Sequence, residues 1–148
     1  MTSASLRNAA QALLERIDTE LSRPRETAET HLVGGIVKMG ARLEALLRIA
    51  LEIACAEQDR DVSDFLPRNK SLRRATAGQI AHALKRASVA RDSGARLLGE
   101  DVRRSGRDSV LFRIIELRNV AAHEGDLDVA DATEVLFALR VLLEQVIR

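Results

Sequence analysis

The chain has no Trp and no Tyr, and three Phe bring its aromatic content to only 2% of 148 residues. That excludes the sheet-based and single-strand platforms that bind RNA by stacking bases on exposed rings. Any nucleic-acid contact has to run through Arg side chains and backbone shape. Proline occurs twice and glycine eight times, too few for a collagen-like or proline-rich disordered chain, and few enough to leave long stretches free to be helical. A single cysteine, Cys55, lies in the apolar run Leu51 to Ala56. No disulfide can form within one chain, so Cys55 reads as a small buried hydrophobe and the protein as cytoplasmic. The start, Met1-Thr2-Ser3-Ala4-Ser5, lacks the basic-then-apolar pattern of a secretory leader. Long hydrophobic runs are missing too. The most apolar stretch, Leu32 to Ala56, is interrupted by Lys38, Arg42, Glu44, Arg48 and Glu52, which argues against a membrane span.

What is present is a charged, aliphatic chain: 46% hydrophobic, 30% charged, net charge +1. Its length suits one domain, residues 1–148. Of the 23 basic residues, only Lys38, Lys70 and Lys85 are lysines. Arginine matches phosphate geometry better than lysine does, although a general composition bias produces the same excess. The apolar residues recur at helical spacing throughout. Leu6, Ala10, Leu13, Ile17 and Leu21 predict a first helix ending near Ser22. Pro24, with Ser22 or Arg23 just outside, is placed to open a second helix running unbroken to about Glu57. That helix carries Leu32, Ile36, Met39, Leu43, Leu46, Ala50 and Ile53, with Val33, Val37, Leu47 and Leu51 widening the face, so it should be central or lie at an oligomer seam. Gly34, Gly35 and Gly40 are sites for a bend or a close crossing. Asp59 to Asn69 reads as a loop. A weaker helix is expected from Thr76 to Ala90, and residues 91–108 read as irregular or one short turn. Asp108 or Ser109 then caps a helix through Val110, Ile114, Leu117 and Ala121, with Gly125 to end it. Asp126 or Asp128 opens a last helix through Ala132, Val135, Leu139, Leu142 and Val146. The expected fold is all-α, a single-domain bundle of four to five helices.

One segment has a chemical look: Glu116-Leu117-Arg118-Asn119-Val120-Ala121-Ala122-His123-Glu124-Gly125. Arg, a polar residue, three more residues and then His, closing the penultimate helix, resembles the signature of HEPN-superfamily ribonucleases. The stretch Leu43-Glu44-Ala45-Leu46-Leu47-Arg48 is similar to the Glu-x-x-Leu-Arg stretch of several HEPN branches. The resemblance implies a HEPN-like helical fold and an endoribonuclease, with a toxin or defence role open to it. It also implies a homodimer with a composite site, and no cofactor or metal. The implied chemistry is attack of an RNA 2′-hydroxyl on the adjacent phosphate, leaving a cyclic phosphate. His123 would do the acid/base work, Arg118 would hold the phosphate, and Asn119 would orient one of them. Glu44 or Glu124 would set the His tautomer or hold Arg118, and Arg48 would join that network. A toxin branch of the family carries a Tyr two residues after the His, which a partner modifies; here that position is Gly125, so that form of silencing is excluded, while another antitoxin or regulatory protein stays open.

The residues themselves allow plainer readings as well. Asn119 and His123, four apart, share one helical face, but Arg118 lies about 140° from His123 around an ideal helix. Either the helix loosens near Gly125 or two copies meet across a seam. An Arg and a His near a helix end also cap carbonyls or pair with acids, and Glu44 with Arg48 is an ordinary i,i+4 pair. His31 and His82 read as structural or surface residues. The runs Arg68 to Arg74 and Arg103 to Arg107 are candidate RNA-backbone contacts or simply solvated loops. The three histidines are far apart, with no Cys/His or paired-carboxylate spacing for a metal. A non-catalytic HEPN-like module binding nucleotide or a protein partner is the alternative to the nuclease.

Overall fold

The computed structural model describes residues 2–22, 28–104, 106–125 and 127–148, with backbone only for 28–31. Among the described residues seven α-helices follow one another: α1 Ser3–Leu21, α2 Ala28–Lys38, α3 Gly40–Glu57, α4 Ala77–Arg86, α5 Ser93–Val102, α6 Val110–Glu124 and α7 Val129–Ile147. Short 3-10 turns cover Val62–Phe65 and Gly106–Asp108. Among the described residues there is no strand, and no helix is long and apolar enough to cross a membrane. The all-α expectation holds, but the helix count exceeds the expected four to five, for two reasons.

First, the long second helix is divided. At Met39 the amide donates to both Gly35 O (3.1 Å) and Ile36 O (3.2 Å), and the helix restarts at Gly40. The flanking glycines are contact points. A Cβ at Gly35 would lie 2.1 Å from Glu20 Cδ, and one at Gly40 would lie 2.7 Å from Arg118 Nε. Close approach of α1 and of Arg118 therefore requires glycine at both positions. The division sends α2 against α6 while α3 packs on α1 and α4. Pro24 and Arg23, expected at the entry, lie outside the described residues.

Second, residues 91–108 are not irregular: they hold α5. Asp92 caps it, accepting from Ala95 N at 3.0 Å, and Ala95, Leu98 and Val102 face the core. The sequence signal is diluted by Gly94, Gly99, Glu100 and Asp101. Gly94 has a tertiary reason, since it sits against Leu6 and Val146, whereas Gly99 lies under Arg103 one turn on and Glu100 is an exposed partner of Arg96. Asp101, 3% exposed, accepts from Ser109 Oγ (3.0 Å), Val110 N (3.1 Å) and Leu111 N (3.0 Å). It thereby ties α5 to the start of α6.

The helix before α5 is also shorter than expected. α4 begins at a capping box formed by Thr76 and Gln79 and stops at Arg86, since Ala87 turns extended. Arg103 reaches back to the carbonyls of Leu84 and Ala87 and closes that end. The Glu57 carboxylate, at the end of α3, accepts from Arg91 N and Asp92 N and fixes the turn into α5. Cys55 is buried as expected. Burial and the nearby Asp61 and Asp64 push its thiol pKa up, against the lowering effect of Arg60.

Candidate functional site

α6 positions the residues in question, and both of its ends are fixed. Ser109 caps the start, its Oγ accepting from Phe112 N at 3.2 Å. Gly125, with φ 67°, ends it in the left-handed conformation, as a C-terminal glycine does. Asp128 then caps α7 through Asp131 N at 3.2 Å; Asp126, the other expected opener, lies outside the described residues.

Asn119 and His123 come together as a pair one turn apart on a face of α6, and both are exposed. Among the described residues neither side chain has a hydrogen bond or ion pair. Glu116, also exposed, lies three residues before Asn119 and lines the groove that α6 forms with α7. The face of Asn119 and His123 continues one that is covered earlier in the helix. His82 of α4 stacks on Phe112, with ring centroids 4.8 Å apart, and Gly78 sits beside Ile115. Beyond Ile115 there is no more of α4 to cover the face, and Asn119 and His123 meet solvent. His82 is thus a surface ring packed on an aromatic; the side chain of His31 lies outside the described residues.

Arg118 points elsewhere. Its guanidinium lies against Gly40 at the start of α3, half-buried, with Nε enclosed and lacking a hydrogen-bond partner. Among the described residues no hydrogen bond joins Arg118 to His123. Glu44 and Arg48 form an i,i+4 ion pair on α3 (3.3 Å), and Arg48 also donates to Arg73 O (3.3 Å). Neither bonds to Arg118 or His123. Glu124 is exposed and lines the same groove as Glu116.

That groove, of about 510 Å³, lies between α6 and α7. Its floor includes Leu117, Val120 and Val135, and Glu124, Asp128 and Arg107 stand around it. Arg113 bridges the two helices there, pairing with Asp131 (3.2 Å) and Glu134 (3.7 Å). Its walls come from two helices whose polar residues look like ordinary solvated faces in the sequence, so the groove leaves no sequence signal. No group of three or more His, Cys, Asp or Glu among the described residues is arranged to hold a metal ion.

No family model matches the sequence, and no curated protein and no solved structure does so either.

Proposed function

We propose that the chain is a metal-independent endoribonuclease of the HEPN type, working as a homodimer, with His123, Asn119 and Arg118 as its reacting centre. The observation that carries this reading is the Asn119–His123 pair. An amide and an imidazole stand one turn apart on an exposed helical face, unengaged by any neighbour among the described residues. A structural pair that tied helices together would be buried and bonded.

In the proposed reaction the 2′-oxygen attacks the adjacent phosphorus while a base removes its proton. The bond from phosphorus to the 5′-oxygen breaks, and an acid protonates that leaving oxygen. An imidazole serves either role. A guanidinium without a carboxylate partner suits the charge that develops on the phosphoryl oxygens. Arg118 fits that description, since it has no ion pair among the described residues. Because it lies about 140° from His123 around α6, the Arg118 that serves one His123 comes from a second copy. Phe137 and Val141, one turn apart on α7 and 54% and 55% exposed, offer a small apolar start for self-association. A toxin or defence role, with an antitoxin or regulatory partner, is compatible with this chemistry.

The test is cleavage of total RNA in EDTA. Wild type should cut and leave cyclic phosphate ends, and His123→Ala should not; equal cleavage by both, or none by either, refutes the enzyme. The composite site has its own test. Arg118→Ala and His123→Ala are each inactive, but mixed dimers rebuild one whole site, so a mixture should recover about a quarter of wild-type activity. No recovery means that Arg118 and His123 do not act across a seam. The groove between α6 and α7 favours a second reading, a non-catalytic HEPN-like module, since its volume of about 510 Å³ is that of a small-ligand pocket.

A further inference from the structure

Charge along this chain is far from even. Residues 65–91 hold seven of the 23 Lys and Arg and none of the 22 Asp and Glu. With a net charge of +1 for the whole, that segment at +7 leaves the remainder at −6. Sign asymmetry of this size within one small domain is a signal for a polyanionic partner.

The fold gathers the segment onto one face. Arg86, at the end of α4, donates to Phe65 O, so the loop of residues 66–75 starts beside the end of α4 and returns along the helix to its beginning at Thr76. Leu66 and Ala75 are buried and Leu72 packs on the core, which pins the loop at both ends and once between. Two tight turns shape it: Lys70 N donates to Pro67 O, and Arg74 N to Ser71 O, with Asn69 at φ 65°. Arg48 holds the second turn from α3 through Arg73 O. Arg68, Lys70, Arg73, Arg74 and Lys85 are left exposed, and none of the five has an ion pair among the described residues. The result is a basic ribbon about as long as α4, roughly 15 Å at 1.5 Å per residue.

The ribbon has a direction. α4 runs antiparallel to α6, because Gly78 meets Ile115 while His82, one turn on, meets Phe112. The beginning of α4, and with it Arg73 and Arg74, therefore faces the part of α6 that emerges as Asn119 and His123. We propose that this ribbon is a binding track for the phosphate backbone of single-stranded RNA, leading the strand from Lys85 past Arg73 and Arg74 to Asn119 and His123. Recognition there is by charge and shape, which suits a chain with no exposed Tyr or Trp for stacking. The track rests on the proposed nuclease for its destination, but its binding can be read without cleavage.

The experiment measures anisotropy of a fluorescent 2′-O-methyl strand of about 20 nucleotides, which lacks the attacking hydroxyl, over a range of KCl concentrations. The ribbon variant R68Q/K70Q/R73Q/R74Q is compared with wild type and with R7Q/K38Q/R96Q/R148Q, which removes the same charge at exposed positions elsewhere. Both should melt close to wild type. Losing four phosphate contacts should flatten the slope of log K against log salt by roughly three, with affinity falling at least about tenfold at low salt, while the second variant changes far less. An unchanged slope in the ribbon variant, equal losses in both variants, or no binding by wild type overturns the track. Cleavage of a dinucleotide, too short to reach the ribbon, separates the two ideas. The ribbon variant should cut it as fast as wild type does, and a wild type that binds the long strand but cuts neither the dinucleotide nor total RNA refutes only the nuclease.

Discussion

Replacing Asp101 by Ala removes the carboxylate that joins α5 to α6. Three donors converge on it, Ser109 Oγ and the amides of Val110 and Leu111, all at 3.0–3.1 Å, and the residue is 3% exposed. A hydrogen bond to a charged group contributes about 1.5–3 kcal/mol. The three do not simply add. The Val110 amide is only partly buried and can be rehydrated, and Ser109 keeps its own bond to Phe112 N. The expected loss is therefore about 3–5 kcal/mol, the cost of leaving buried neutral donors without an acceptor. In a domain of this length each kcal/mol lowers the melting temperature by about 2–4 °C, so the midpoint should fall by about 6–20 °C. Asp101→Asn, which keeps acceptor oxygen but turns one acceptor into a donor, should fall between the two. Urea titration followed by circular dichroism measures the loss, and a cycle with Ser109→Ala isolates the shared bond, since the double variant should lose less than the sum of the singles. A loss below about 1 kcal/mol for Asp101→Ala would refute the claim that this carboxylate sets the start of α6.

Gly40→Ala separates Arg118's position from stability. The new Cβ would stand 2.7 Å from Arg118 Nε, and the side-chain end should move. RNA cleavage should drop toward the Arg118→Ala level while stability changes by less than about 1 kcal/mol, the helix gain from Ala offsetting the displaced contact. Gly35→Ala should behave in the opposite way. Its Cβ would overlap the buried Glu20 carboxylate, which is held by Arg16 at 3.0 Å, and the chain should lose about 1–3 kcal/mol in a urea melt. For Asp92, burial works to raise the carboxyl pKa, but hydrogen bonds from Ala95 N, Ser3 and Gly94 and the charge of Arg7 outweigh it and hold the group below its usual value. A lowered folded pKa means stability that is present above the unfolded value of about 3.9 and lost as the pH falls below it. Asp92→Asn should accordingly flatten the acid limb of the urea midpoint against pH. Cys55, buried with its thiol pKa raised, should resist an alkylating reagent in the native protein and react once urea unfolds it.

Helix class was legible because burial follows the 3.6-residue period in α1, α3 and α7, where Leu6, Leu13, Leu43, Leu46, Val135 and Leu139 turn inward and Leu21 and Leu142 are only partly buried. The caps at Ser109, Asp128 and Gly125 were legible for the same local reason: each acts on the backbone within a turn of itself. α5 was not. Gly94 is there for Leu6 and Val146, and Asp101 reads as a loop residue until Ser109 is brought to it. The division at Met39 was foreshadowed by Gly40, but what occupies the space above that glycine, Arg118, comes from 78 residues further on. Of the proposed centre, the Asn119–His123 pairing followed from spacing alone. The separation of Arg118 followed from the same geometry. Glu44 and Arg48 did not join it, because an i,i+4 partner on their own helix satisfies them first.

The capping box at Thr76 has an effect beyond α4 itself. Since Gly78 already rests on Ile115, one more turn at that end would roof over Asn119, and one turn fewer would uncover Ile115 and wet the core. The hydroxyl and amide at Thr76 and Gln79 thus act as a stop mark, setting how many ångströms of α6 a visiting molecule can see and walling it in on one side.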